Sequence, residues 1–193
     1  NKNNKYKKVI TINDDLSKDS LEFLNQSISY LIFLPEMERL FQASPSFRRN
    51  FLDRLIFSGK NDYNRLINKY KYTLLERNKI LQKNSFDYNW LNQIEKEICL
   101  LGLEIYQLRN NHLNSINKIL NFLKDEHKLQ FQLEMKLLDK NFNISLNFEK
   151  YLKILHDSRI SDKQFGGTKI GPHRSDIVAI IDNDFEASLL STG

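Results

Sequence analysis

The 193-residue sequence holds a single cysteine, Cys99, so no disulfide can form within the chain; this fits a reducing compartment, and the cytoplasm is the expected location. No apolar run is long enough to cross a membrane and there is no signal-peptide pattern, so no membrane partner is expected. His112, His127, His156 and His173 are scattered, with no cysteine or carboxylate at metal-ligand spacing, and no metal site is expected. No Ser/His/Asp or Cys/His arrangement points to nucleophilic catalysis. A phosphate-cradling Gly-x-x-x-x-Gly-Lys-Ser/Thr loop is missing too: Gly59-Lys60 is followed by Asn61 and has no loop before it. Nor does any apolar strand end in paired acids. These absences exclude a complete nucleotide-hydrolysing centre and leave no catalytic residue to assign. The chain also lacks an initiating Met and stops after Ser191-Thr192-Gly193, and the expectation is a piece of a longer protein.

What is abundant is positive charge and helical periodicity. The net charge is +5. A basic chain often meets nucleic acid, although abundant Asn, Lys and Ile would also follow from AT-rich coding DNA. The stretch from Asn61 to about Lys124 reads as two helices lying back to back. In the first, Leu66, Tyr70, Leu74 and Leu81 recur at helical intervals, with Arg77 standing where the stripe would continue. In the second, Leu91, Ile94, Ile98, Leu101, Ile105 and Leu108 alternate steps of three and four, the period of a seam packed against another helix. Asn84-Ser85-Phe86-Asp87 is a short polar break with capping residues, which predicts an antiparallel pair. The first helix carries Lys60, Arg65, Lys69, Lys71, Arg77, Lys79 and Lys83 against Asp62 and Glu76, an excess equal to that of the whole chain. Two readings stand: a solvated face, or a track for a phosphate backbone with Tyr63, Tyr70 and Tyr72 interleaved. In the second reading Lys69, Lys71, Lys79 and Lys83 are the candidate DNA contacts.

The flanking segments mix strands and helices. Val9 to Ile12 followed by Asn13-Asp14-Asp15 predicts a strand and a turn, Leu21 to Ile28 a short helix, and Tyr30 to Leu34 a buried strand stopped by Pro35. Glu36 to Phe41 predicts one or two helical turns. Ser44-Pro45 is a strong helix start, and the helix from Pro45 to Ser58 carries Phe47, Phe51, Leu52, Leu55 and Ile56 on one face. Arg48 falls within that apolar face and Arg49 at its edge. A charge placed there must find a carboxylate, a carbonyl or a ligand. Leu129 to Met135 alternates like a half-buried strand, Phe148, Leu152 and Leu155 mark another helix, and Phe165-Gly166-Gly167 ends that region. Ile177 to Ile181 predicts a strand, Asn183-Asp184 a turn, and Phe185 to Leu190 a returning segment. The fold class is mixed α/β.

Two stretches are more specific. One is Leu34-Pro35-Glu36-Met37-Glu38-Arg39-Leu40 followed by Ser44-Pro45-Ser46-Phe47-Arg48-Arg49-Asn50-Phe51-Leu52-Asp53. The other is Gly171-Pro172-His173-Arg174-Ser175-Asp176 followed by Leu190-Ser191-Thr192-Gly193. In this order, flanking a helical hairpin, they closely resemble the RecF family of bacterial recombination-repair proteins, colinearly and over nearly the whole chain. The resemblance implies part of an ABC-type P-loop ATPase head, related to SMC proteins, with an inserted antiparallel helical arm. Residues 1–44 would be the latter part of the first head lobe. Residues 45–163 would be the arm with a supporting strand, and residues 164–193 the return to the head. It further implies DNA binding (double-stranded or gapped), slow hydrolysis of ATP with Mg2+ by the full-length protein, and an ATP-dependent homodimer. The implied partners are RecO and RecR, with which RecF-like proteins load RecA at gapped DNA in replication, repair and the SOS response to DNA damage. Leu190-Ser191-Thr192-Gly193 looks like the start of the ABC signature, whose Ser191 and Gly193 would meet the γ-phosphate held by the opposite subunit. His173, Arg174 and Arg48 are candidates for the nucleotide or subunit interface, although a His after Gly-Pro can equally cap a turn or bond a nearby carbonyl. The alternative is a helical-hairpin adaptor without nucleotide chemistry.

Overall fold

A computed structural model describes residues 11–28, 35–83, 87–128, 130–139, 146–182 and 185–189. The expected strand at Tyr30–Leu34, most of that at Val9–Ile12, and the Asn183-Asp184 turn lie outside these residues. The elements in order are α1 (Lys18–Ser27), a 3-10 segment (Pro35–Gln42), α2 (Pro45–Gly59), α3 (Tyr63–Leu81), α4 (Tyr88–His127), β1 (Leu133–Leu138), α5 (Phe148–Asp157), α6 (Arg159–Phe165), β2 (Asp176–Ile181), β3 (Phe185–Glu186) and a 3-10 turn at Ala187–Leu189.

The helix starts follow local chemistry. Ser17, Ser44, Asp87 and Asn147 each turn a side-chain oxygen onto a free N–H of the following helix. Pro45 occupies the first helical position of α2, where its missing N–H is not needed. The antiparallel hairpin is present. Arg77 meets Glu95 toward one end of the α3–α4 pair, while Tyr63 and Arg109 meet on Asp53 toward the other. The seam positions Leu91, Ile94, Ile98, Leu101 and Ile105 are buried, as their spacing predicts. On α3 the buried face is Tyr63, Ile67, Tyr70, Thr73, Arg77, Ile80 and Leu81; Leu66 and Leu74 pack at its margin.

Two expectations need correction. The alternating segment expected at Leu129–Met135 becomes a strand only at Leu133 and runs on to Leu138, because α4 continues to His127 and Lys128 ends it in the left-handed conformation. The helix expected around Phe148–Leu155 is followed by a second, α6, which Gly166 terminates at φ +82°.

The sheet is antiparallel in the order β1-β2-β3. Its middle strand is buried at Ile177, Val178 and Ala179. The free edge of β1 is closed by α4: Met135 N donates to Asn117 Oδ1 (2.7 Å) and Asn117 Nδ2 donates to Met135 O (2.9 Å). Gly102 lets α5 come close to α4, since a Cβ there would fall 2.8 Å from Tyr151 Cε1. One core thus runs through α2, α3, α4, α5 and β2. No described helix is long and apolar enough to cross a membrane.

Candidate functional site

The two specific sequence stretches, 118 or more residues apart, close on one another in space. Arg48 of α2 makes a two-pronged pair with Asp176, Nε to Oδ1 at 2.9 Å and Nη2 to Oδ2 at 2.7 Å. Its Nη1 donates to the carbonyls of Phe41 (2.9 Å) and Ala43 (2.5 Å). Of the two sequence readings of Arg48, the ion pair is the one present. The hydrogen bonds that Arg48 donates to Asp176 hold the guanidinium pKa above its ordinary value. Burial pushes the Asp176 carboxyl up, but Arg48, the Ile177 N–H and the charge of Arg49 together outweigh it, and the group stays below its usual range.

The next residue, Arg49, donates through Nη1 to Ser175 O at 2.6 Å. Asp53 then receives both prongs of Arg109 at 2.9 Å, and the Tyr63 hydroxyl at 2.6 Å. Arg109 Nη1 reaches across to Pro172 O (2.6 Å) and Ser175 Oγ (3.1 Å). Sequence reasoning missed Arg109, the residue that ties the two stretches together from α4. Its signal was available: position 109 lies four after Ile105, on the buried seam itself.

His173 is turned inward. Its Nε2–H donates to Thr168 O at 2.8 Å, so its Nδ1 accepts from the Tyr70 hydroxyl at 2.9 Å; Tyr151 Oη lies 3.2 Å from Tyr70 Oη. Both ring nitrogens are thereby engaged within the chain, the carbonyl-bonding arrangement foreseen for a His after Gly-Pro. Burial, with help from nearby Arg174, Arg49 and Arg109, lowers its pKa to about 4 and keeps the ring neutral. Gly171 sits at φ +129°, and a Cβ there would overlap the hydroxyls of both Tyr70 and Tyr151. Arg174 is exposed and lies 5.6 Å above the Phe165 ring, beside Lys169 at 4.3 Å.

A second charged cluster fills the hairpin interior. Arg77 donates to Glu95 (2.9 Å), Asp162 (2.7 Å), Thr168 Oγ1 (2.8 Å) and Leu155 O (2.7 Å). Arg159 also pairs with Glu95, at 2.5 Å. This corrects the basic-track reading at Arg77, which is fully buried rather than on the solvent face. Arg65 is paired with Glu22 and Asp62, and Lys69 with Glu97 at 2.8 Å. Lys71, Lys79 and Lys83 are exposed and have no acidic partner among the described residues. Tyr63 and Tyr70 are core residues; Tyr72 alone of the three tyrosines is exposed. Ser191 and Gly193 lie outside the described residues. Cys99 is buried, and burial pushes its thiol up to about 12, which makes it unreactive at neutral pH.

Between α2, α3, α4 and the Pro172-His173 turn lies a cleft of about 140 Å³, with Ser46, Arg49, Asn50, Lys71 and Arg109 among its polar walls.

No protein-family model matches the chain. It is 32% identical over 167 residues to the DNA replication and repair protein RecF of Rickettsia felis, covering 84% of this chain and 45% of that protein. It is 30% identical over 182 residues to the protein of the same name from Rickettsia akari, covering 92% and 49%. Among solved structures, the recombination mediator protein RecF with ATP, from the RecFOR pathway, superposes with a TM-score of 0.73 at 25% identity, over 84% of this chain and 45% of that one. A second RecF structure of that pathway, at 24% identity, gives 0.76 over 95% and 51%, which speaks to the fold. The chain spans about half the length of the curated relatives it matches. Its helix-rich architecture with a small antiparallel sheet is that of the matched part of the RecF ATPase fold. In sequence and in fold, this chain is RecF-like over most of its length.

Proposed function

We propose that this chain is the helical-arm portion of a RecF-like recombination mediator, a DNA-binding and ATP-binding protein of replication and recombinational gap repair. The observation that carries this reading is the joint closure of the two RecF-like stretches, Arg48 on Asp176 and Arg49 and Asp53–Arg109 on the Pro172–Ser175 turn, in a chain with RecF similarity along most of its length. Within it we divide the chain into residues 1–44 as head, 45–163 as arm and 164–193 as return to the head. β1 of the arm and β2 of the return share one sheet, so the arm is anchored by strand pairing as well as by the charged junction.

ATP, with Mg2+, would be held by the full-length protein and would supply the phosphate around which two heads meet. Ser191 and Gly193 would approach it from the opposite subunit, and Arg174, exposed beside the turn, is the interface candidate still facing outward. RecO and RecR are the proposed partners, RecA the protein loaded, and the cytoplasm the location. Since its 193 residues contain no P-loop, this chain by itself does not hydrolyse ATP. Turnover that persists through purification and is lost on Ser191→Ala would overturn that statement.

The DNA reading is tested on the exposed lysines. Lys71→Glu, Lys79→Glu and Lys83→Glu together should weaken binding of a labelled duplex equally for unrelated sequences and lower the salt slope by roughly three, at about 0.9 per phosphate contact. Lys69→Glu should do less, because Glu97 already neutralises that ammonium. Affinity and slope unchanged in the triple variant would return the lysines to solvent and favour the helical-hairpin adaptor.

A further inference from the structure

The junction between the two RecF-like stretches is not electrically balanced. Arg48, Arg49 and Arg109, with Arg174 close by, face the carboxylates of Asp53 and Asp176 and, on the side of Arg48 away from the turn, that of Glu186, four cations against three acids. Arg48 is matched by Asp176 and Arg109 by Asp53, whose oxygens also take the Tyr63 hydroxyl, so both aspartates are occupied. Arg49 is left over. Its Nη1 is fixed by Ser175 O, and its other N–H groups have no acceptor among the described residues. Across the cleft stands Lys71, which has no acid partner among the described residues. His173 adds no charge, because both its ring nitrogens are engaged and the ring is neutral.

We propose that this cleft binds a phosphate group, held by the free prongs of Arg49 and the ammonium of Lys71. A planar guanidinium beside a mobile ammonium suits a tetrahedral oxyanion, which offers acceptors in several directions at once. Ser46 and Asn50, from the first two turns of α2, supply further neutral donors, and the Asp53 carboxylate that also lines the cleft is neutralised by Arg109 and bonded by the Tyr63 hydroxyl. The cleft, of about 140 Å³, has room for a phosphate group. Without an anion, burial and the charge of Arg109 both disfavour the Arg49 cation. A bound phosphate removes that penalty. Two phosphate sources share this chemistry, the backbone of DNA and the tail of a nucleotide, and the site is defined independently of which supplies it.

The test is a titration of the full 193-residue chain with inorganic phosphate at constant ionic strength and pH 7, followed by the NMR signal of the Arg49 Nε–H group, with acetate as the comparison anion. A saturable millimolar shift with phosphate and little response to acetate is expected. Lys71→Gln and Arg49→Lys should each weaken it five-fold or more, and Arg49→Gln should abolish it. Arg49→Lys retains the charge and Lys71→Gln touches an exposed side chain, so both keep the comparison on folded protein. Lys79→Gln, outside the cleft, should leave the titration unchanged. The absence of a saturable shift, or affinity unchanged in both cleft variants, overturns the proposal. Competition then separates the sources: displacement by a short duplex without terminal phosphates points to the DNA backbone, and displacement by ATP alone points to a nucleotide. Loss of duplex binding on charge reversal at Lys79 and Lys83 with the phosphate titration intact would separate the DNA track from the cleft.

Discussion

The chain buries arginines in two places, and the two clusters differ in closure. In the hairpin interior Arg77 and Arg159 face Glu95 and Asp162, two charges against two, sealed by Thr168 Oγ1 and the Leu155 carbonyl. Arg77 and Asp162 are completely inaccessible to solvent. At the junction of the RecF-like stretches four arginines, Arg174 included, stand against Asp53, Asp176 and Glu186, and the cluster opens into a cleft. A balanced, closed network can do little except fix how its helices sit. An unbalanced one at a surface retains a cation whose field and donors remain available to a ligand.

The largest test of this contrast is Arg77→Met, which removes one cation and leaves Glu95 and Asp162 buried with only Arg159. It should destabilise the chain by about 3–5 kcal/mol in denaturant titration. A loss below about 1 kcal/mol would mean the closed cluster is not a structural fixture. Arg109→Met should follow at about 2–3 kcal/mol, since the Asp53 it abandons is partly exposed and keeps the Tyr63 hydroxyl.

Acid should loosen the junction. The pKa of His173 is depressed to about 4 from an ordinary value near 6.5, so the unfolded chain binds the proton first. Its contribution is complete above about pH 6.5 and is lost as pH falls through 4, amounting to about 1–2 kcal/mol between pH 7 and pH 5. Asp176, also depressed, adds a loss only nearer its ordinary carboxylate range. Denaturant midpoints at pH 7 and pH 5 check this, and the slope should shrink in His173→Gln. The smallest expected effect is Arg49→Gln: one carbonyl bond is lost and an unbalanced cation disappears, so stability should change by less than about 1 kcal/mol. A large loss would place Arg49 with the structural arginines instead.

The same contrast explains what could be read from the primary structure. Caps, the hairpin seam and the α2 start were legible because they are local: Ser44-Pro45 and Asp87 act within one turn, and the three-four spacing from Leu91 to Ile105 needs only helical geometry. The burial of Arg77 was half legible, as a charge standing on an apolar stripe. Glu95 and Arg109 stand on the seam in the same way, four after Leu91 and four after Ile105, but their apolar neighbours already satisfy the pattern and hide them.

Local residue order is enough for α2, the α3–α4 pair, the Arg48-bearing face of α2, and the likeness of both flanking stretches to RecF. Which cations are occupied is settled by packing alone. Periodicity places a charge on a face, but its partner arrives from a segment 18 to 128 residues away. Whether that partner is a carboxylate, a carbonyl or nothing at all depends on packing between elements. That is the physical reason Arg77 left the basic track, Arg48 became an ion pair, and Arg49, unremarkable at the edge of α2, became the unpaired cation of the cleft.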